Sequence, residues 1–293
     1  MRITVVGGGI VGLSCAHRLA EAGHEVGVVA AGKPEDSTSA IAGGLIYPPG
    51  TQPADRVARW TVAGVAQFRR LGAPGVRMVR GRLVLPEQTP EPAWAAAMED
   101  VVVSGPALEF TTALVDTPVY LAWLAGRVAA LGVRTEYRTL SSLGEVDAEL
   151  VVNAAGLGGG ALAGDDSVVP VGGQVVHLAD PGLTEWVVHE TDSAVTYVIP
   201  HGRHVVCGGT EEEGRIGVEP DAAVAADIVA RCRALVPALA GARVLGTKVG
   251  LRPHRPQVRL DRVGDVVHCY GHGGAGITLS WGCADEVAAL AGS

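Results

Sequence analysis

Positive charge is in short supply in this chain of 293 residues: 23 lysines and arginines stand against 31 acids, for a net charge of −8. That balance argues against a nucleic-acid partner and against docking on an anionic membrane. Only two of the basic residues are lysine, Lys33 and Lys248, a compositional bias without a functional reading. No run of about 18 purely apolar residues occurs, so no transmembrane helix is expected. Cysteine is limited to five residues (Cys15, Cys207, Cys232, Cys269, Cys283), scattered and without CxxC or zinc-type spacing. This excludes a disulfide scaffold and leaves reduced thiols as the simplest account. Met1-Arg2 passes directly into a strand with no small-residue cleavage pattern, and Leu290-Ala291-Gly292-Ser293 is no peroxisomal address. The protein is therefore expected in the cytoplasm. No Ser/His/Asp triad, metal-ligand spacing or P-loop stands out.

What is present describes a folded enzyme-sized chain. Hydrophobic residues make up 48% and charged ones only 18%, the balance of a globular protein with a sizeable core. Ile3-Thr4-Val5-Val6 is a β-branched run that stops at Gly7, and Gly7-Gly8-Gly9-Ile10-Val11-Gly12 follows. Leu13, Cys15, Ala16, Leu19 and Ala20 then recur at helical spacing, Gly23 ends the helix, and Glu25–Ala30 reads as a second strand. Strand, glycine turn, helix and strand in this order are the context in which G-x-G-x-x-G binds a dinucleotide. Glycines at 7, 9 and 12 allow a tight turn, close approach of backbone to pyrophosphate, and close helix–strand packing. The motif alone does not choose between NAD and FAD.

Further along, Ala58–Leu71 and Thr117–Leu131 read as helices, and Val133–Arg138 as a strand. Leu150–Asn153 reads as a buried parallel strand ending in a glycine turn. Alternation over Val175-Val176, Trp186–Val188, Tyr197–Ile199 and His204–Val206 predicts antiparallel strands, and Asp221–Leu235 an amphipathic helix. The order of these elements suggests two interleaved domains. One comprises residues 1–50, 108–173 and 245–293; the other comprises 51–107 and 174–244.

Two late segments carry more information than the opening motif. Gly250–Leu260 reads GLRPHRPQVRL and Tyr270–Gly282 reads YGHGGAGITLSWG. Together they resemble the D-amino-acid oxidase family of FAD-dependent flavoproteins, and the resemblance extends over nearly the whole chain. It implies an α/β fold in which a Rossmann-like FAD-binding domain is interleaved with an antiparallel-sheet substrate domain.

It also implies the cofactor, FAD, and a set of site residues. Gly7, Gly8, Gly9, Ile10 and Gly12 would hold its pyrophosphate. Thr38, Ser39, Gly43, Gly44 and Leu45 match positions that contact pyrophosphate and flavin, and Leu140 falls where an apolar residue meets the adenine. Gly273, Gly276, Ile277 and Thr278 match positions along the flavin. For the substrate, the resemblance places Arg259 at the carboxylate-binding arginine, whose planar guanidinium donates two parallel hydrogen bonds. Arg252 and Arg255 remain rivals for that role. Tyr197 matches a tyrosine that helps hold the same carboxylate, and Gly274 a glycine whose carbonyl receives the amino group. His272 is expected to make structural hydrogen bonds.

The implied reaction is oxidative deamination of a D-amino acid by molecular oxygen, giving a 2-oxo acid, ammonia and hydrogen peroxide. The hydride passes from Cα to flavin N5 with no protein base. A D-aspartate, glycine or sarcosine oxidase, a dehydrogenase, and a flavin-binding protein without turnover are the alternatives. Family members often form homodimers. The sequence departs from the family pattern in two places. The second strand ends Val29-Ala30-Ala31-Gly32 with no ribose-binding carboxylate until Glu35 and Asp36. The segment His189–Thr196 is short and lacks the tyrosine of a longer lid, with Ser193 near its place, which predicts an open pocket. Glu211, in Glu211-Glu212-Glu213, is a candidate for recognising a basic side chain at the pocket rim.

Overall fold

The computed structural model describes residues 1–292 apart from 49, 88, 93, 96, 97 and 99; Ser293 of the C-terminal tetrapeptide lies outside the described residues. The opening motif forms β1 (Arg2–Val6), α1 (Ile10–Glu21) and β2 (Glu25–Ala30), with the two strands parallel and Arg2 opposite Glu25. The chain continues through α2 (Ala54–Leu71), β3 (Val76–Val84), β4 (Val102–Ser104), β5 (Ala107–Val115), α3 (Thr117–Ala130), β6 (Arg134–Tyr137) and β7 (Leu150–Asn153). It then forms α4 (Gly158–Ala163), β8 (Val169–Ala179), β9 (Trp186–Glu190), β10 (Val195–Pro200), β11 (His204–Gly208) and β12 (Glu212–Glu213). It ends with α5 (Ala222–Leu235), β13 (Val244–Val263), β14 (Val266–His272) and α6 (Gly276–Ala291).

The described strands join one mixed sheet, ordered β4-β5-β3-β9-β10-β11-β8-β13-β14-β7-β1-β2-β6, with β12 beside β8. Five strands, β14-β7-β1-β2-β6, run parallel to one another. The remainder is mostly antiparallel. β13 welds the two parts: its first half pairs with β8 and its second half with β14, and the β14 register shifts between His254 and Arg259. Strand order turns at β1, which has β7 on one side and β2 on the other. In such sheets ligands bind outside the carboxyl ends of the strands at the turning point.

Apolar periodicity explains which faces are covered. Leu13 and Leu19 of α1, Trp60 and Phe68 of α2, and Trp281 of α6 converge with Ile3 and Val5 of β1 into the largest core. Trp281 is fully buried, and its indole N–H donates to Tyr120 Oη at 3.0 Å. Replacing it with alanine would cost about 3–5 kcal/mol in lost transfer energy and cavity. A second core lies around Phe110 and Trp186, and a third where α5 covers β8 and β11. The Asp221 side chain caps α5 by accepting from the Ala223 and Val224 amides at 2.7 and 3.0 Å. No helix among the described residues is long and apolar enough to cross a membrane.

Helix α2 begins at Ala54, directly after Pro53, and so runs four positions longer than the sequence pattern suggests. Gly250–Leu260 lies inside a strand of 20 residues. Tyr270–Gly282, four of whose first seven residues are glycine, is not an extended loop. It is the end of β14, one tight turn over Gly273–Ala275 and the start of α6, because Leu279 and Trp281 bury their side chains on the helix.

Candidate active site

One cavity of about 1900 Å³ runs from the first glycine turn to the antiparallel strands. It is larger than the roughly 300–1,000 Å³ of ordinary small-molecule pockets. At one end Gly7, Gly8, Gly9 and Ile10 form the wall, where α1 begins. Gly7 has φ +129°, and a Cβ there would stand 2.2 Å from the Ala154 carbonyl oxygen; at Gly12 a Cβ would stand 2.0 Å from the Gly7 oxygen. Only glycine permits this turn. Gly12 itself packs behind the wall and does not line the cavity. No side chain caps α1 and no acid lies in its first turn, which leaves the helix start fit for phosphate.

The loop after β2 is fastened against this turn. Ser39 Oγ accepts from the Ile10 amide at 3.2 Å, and Thr38 Oγ1 donates to Leu251 O at 3.0 Å. The Val115 amide donates to Gly44 O at 2.8 Å. Thr38, Ser39, Gly43, Gly44 and Leu45 all line the cavity, as does Leu140 at the far end beside Arg138. Asp36 lines that end too, whereas Glu35 does not. An extended glycine cradle, an uncapped helix start and a far end where Leu140 stands beside polar residues fit FAD.

At the other end the structure brings Tyr197, Arg252 and Gly274 together. Arg252 Nη1 donates to Thr210 O at 2.8 Å. Its guanidinium lies over Gly173, where a Cβ would come within 2.4 Å of Nη2. Gly274 lies alongside: a Cβ there would be 3.6 Å from Arg252 Cδ and Nε. Burial pushes the Tyr197 hydroxyl pKa up, and the adjacent Arg252 charge and hydrogen bond pull against that shift. Gly273, Gly276, Ile277 and Thr278 complete the wall, and Thr278 Oγ1 donates to Tyr47 O at 3.1 Å.

Arg259 is elsewhere, and the expectation for it is corrected. It does not line the cavity; its Nη1 donates to Tyr270 Oη at 2.8 Å and its Nε to Asp261 Oδ1 at 3.0 Å. The reason lies in its partners, which meet it beyond the register shift of β13 between His254 and Arg259. Asp165 gathers the two later arginines: Arg255 Nε donates to it at 3.0 Å, and Arg259 Nη1 lies 4.0 Å away. Asp165 is held well below the usual carboxylate range, first by the Ser167 hydroxyl and then by Tyr270 and Arg255. Arg255 reaches the cavity wall, but its head is already engaged.

His272 is buried in the wall, 4.0 Å from Cys269 Sγ, and its donor atom lies with those of Cys269 and Cys283 within 4.8 Å of one another. All five cysteines are buried and unpaired. Thr191 to Ala194 make a tight turn joining β9 and β10, with Asp192 and Ser193 at the cavity mouth. Sequence reasoning missed Tyr47, a half-buried wall residue whose hydroxyl donates to Glu190 Oε1 at 2.9 Å. A lone tyrosine in a proline-flanked loop carries no signal that would have found it. It also missed Gly173, whose missing side chain makes room for Arg252.

The family described as FAD dependent oxidoreductase matches residues 2–290. A D-amino-acid oxidase of Rubrobacter xylanophilus is 44% identical, over 100% of this chain and 96% of its own length. A D-amino-acid oxidase of Streptomyces coelicolor is 41% identical, over 99% and 96%. Among solved structures, glycine oxidase from Geobacillus kaustophilus superposes with a TM-score of 0.82 at 21% identity, covering 99% of this chain and 94% of that one, a likeness of fold.

Proposed function

The chain belongs to the DAO family of FAD-dependent oxidoreductases, and from that premise we propose that it is a D-amino-acid oxidase. The activity is conversion of a D-amino acid, oxygen and water to a 2-oxo acid, ammonia and hydrogen peroxide. The observation that carries this reading is the meeting of Arg252, Tyr197 and Gly274 in the same cavity as the glycine cradle. A dinucleotide site alone would fit many oxidoreductases, whereas a cation, a hydroxyl and a side-chain-free backbone in one corner fit an α-amino acid.

Gly7, Gly8, Gly9 and Ile10 hold the pyrophosphate, Thr38 to Leu45 and Gly273 to Thr278 border the flavin, and Leu140 meets the adenine. Asp36 serves the ribose that the end of β2 leaves without a carboxylate. When bound, FAD supplies the two-electron acceptor for the substrate Cα–H. Arg252 binds the α-carboxylate through paired charge-assisted hydrogen bonds, and the Tyr197 hydroxyl donates a third. The Gly274 carbonyl accepts from the amino group. With carboxylate and amine fixed, only one hand of the substrate directs its Cα–H to the same face, so the D-enantiomer reacts. No side chain has to remove a proton from carbon, and His272, packed against Cys269, is not placed to do so.

Residues 1–50, 108–173 and 245–293 act as the cofactor domain, and 51–107 and 174–244 as the substrate domain. Five reduced thiols suit the cytoplasm. The test is oxygen uptake by the purified holoenzyme with D- and L-forms of alanine, valine and arginine, together with peroxide and 2-oxo acid detection. Turnover of the D-forms with equal oxygen and peroxide supports the reading. Turnover of L-forms alone, or of glycine alone, contradicts it.

A further inference from the structure

Behind the turn that carries Gly274, three donors of the kind that bind metals converge, with no recognisable spacing along the chain. Cys269 and His272 lie at the end of β14 and Cys283 lies on α6, and one donor atom from each stands within 4.8 Å of the other two. Gly271, with φ +82°, interrupts the alternation of β14, so that Cys269 Sγ and His272 Nε2 meet on one side, 4.0 Å apart. All three residues are buried, His272 to 3% exposure and Cys283 completely. Cys15 of α1 is hydrogen-bonded to Cys269 from outside the trio.

The imidazole is poorly satisfied by the protein. The ring's single hydrogen-bond contact among the described residues is the Cys269 sulfur, a weak partner at 4.0 Å. Buried polar groups ordinarily find a partner, because leaving one unpaired costs about 1–3 kcal/mol. Two sulfurs and an imidazole nitrogen are the donor set of zinc, and poor ligands for magnesium or calcium. A tetrahedral zinc ion, bonded at about 2.3 Å to sulfur and about 2.0–2.1 Å to nitrogen, spaces its donors roughly 3.5 Å apart. Side-chain rotations that move the donor atoms by about an ångström close the set around the ion. Cys269 and His272 also line the cavity, which gives an ion its way in.

We propose that Cys269, His272 and Cys283 form a zinc site, with Cys15 orienting the Cys269 sulfur and the fourth position left to a small ligand from the cavity. This goes beyond the D-amino-acid oxidase reading and does not rest on it. Binding releases the two thiol protons to solvent and leaves two thiolates and a neutral imidazole on the ion. The location gives the ion a task. It ties the end of β14 to α6 across the Gly273–Ala275 turn, the backbone that presents Gly274 to the cavity. Zinc has no redox chemistry, so it fastens this turn and takes no electrons from the flavin.

For the test, the holoenzyme is produced in zinc-supplemented medium and desalted, and its flavin and metal are counted per chain. A single zinc ion per chain is expected. X-ray absorption at the zinc edge then shows two sulfur neighbours at about 2.3 Å and an imidazole nitrogen at about 2.0–2.1 Å. Cadmium exchanged into the site gives a thiolate-to-metal charge-transfer band in the ultraviolet, which Cys283→Ser loses and Cys207→Ser, outside the trio, keeps. Stripping the ion with a chelator lowers the thermal midpoint, and returning free zinc restores it. Because Cys283→Ser can fail to fold, the unaltered chain decides: zinc absent after desalting, or bound through nitrogen and oxygen alone, overturns the proposal. So does a cadmium band that folded Cys283→Ser keeps or folded Cys207→Ser loses. None of these outcomes bears on the oxygen-uptake test of the D-amino-acid oxidase reading.

Discussion

Replacing Arg252 with methionine removes the cation over Gly173 and keeps much of the aliphatic bulk. Two charge-assisted hydrogen bonds to a carboxylate, at about 1.5–3 kcal/mol each, together contribute about 3–6 kcal/mol. That corresponds to a loss of about 10²- to 10⁴-fold in kcat/KM for D-alanine. Most of the loss falls on KM, since the contact exists in the ground state as well as in the transition state. The matched control is Arg259→Met, which breaks the links to Tyr270 and Asp261 and does not line the cavity. Its kcat/KM stays within about threefold, because exposed ion pairs contribute about 1 kcal/mol or less and do so to stability. The assay is steady-state peroxide production, with the flavin absorbance of each variant confirming that FAD is retained. A collapse in Arg259→Met with activity preserved in Arg252→Met would refute the placement of the anchor.

Three further outcomes follow from other parts of the molecule. Gly12→Ala forces a Cβ to 2.0 Å from the Gly7 oxygen; overpacking of about 1–3 kcal/mol displaces the turn, and the purified protein shows a reduced ratio of flavin to protein absorbance. His177 stacks on His204 with ring centroids 4.9 Å apart; burial first, and the charges of His204 and Lys248 next, lower its pKa to about 4. The unfolded chain then binds the proton that the fold refuses, so stability is complete above about pH 6.5 and declines as the pH falls toward 4. Discounted for the partial exposure of the ring, the loss is on the order of 1–2 kcal/mol, and denaturant midpoints of His177→Gln show a flatter pH profile over that window. Finally, the short β9–β10 turn leaves the mouth without a long lid, so turnover at saturating substrate is insensitive to added viscogen; strong viscosity dependence would contradict an open mouth.

The sequence pattern revealed those elements whose cause is local. β2 has the bounds Glu25–Ala30 that its alternation and flanking glycine suggest, and the antiparallel strands β9 to β11 appear where apolar residues alternate. The glycine turn is legible because its conformation belongs to a few consecutive residues. β13 was hidden, since Pro253, Pro256 and three arginines do not look like a strand; β8 and β14, pairing on either side, make it one. Among the glycines from Gly271 to Gly276 only one turn is needed before Leu279 and Trp281 pull the chain into a helix.

The choice among Arg252, Arg255 and Arg259 was the hardest to read. It depends on Asp165, a residue far away in the chain that claims two of the three guanidinium groups. Tyr47 and Glu190 meet only in the folded protein, 143 positions apart. A motif names the residue types that a site needs, while the tertiary partners of each arginine decide which one is free to serve it.

The most direct test that one cavity holds both FAD and a D-amino acid is the visible spectrum of the purified holoenzyme, followed anaerobically as amino acids are added. D-arginine, D-lysine and D-alanine bleach the flavin absorbance and their L-forms leave it unchanged. A flavin spectrum that none of these D-amino acids bleaches, or that the L-forms bleach equally, would contradict the assignment.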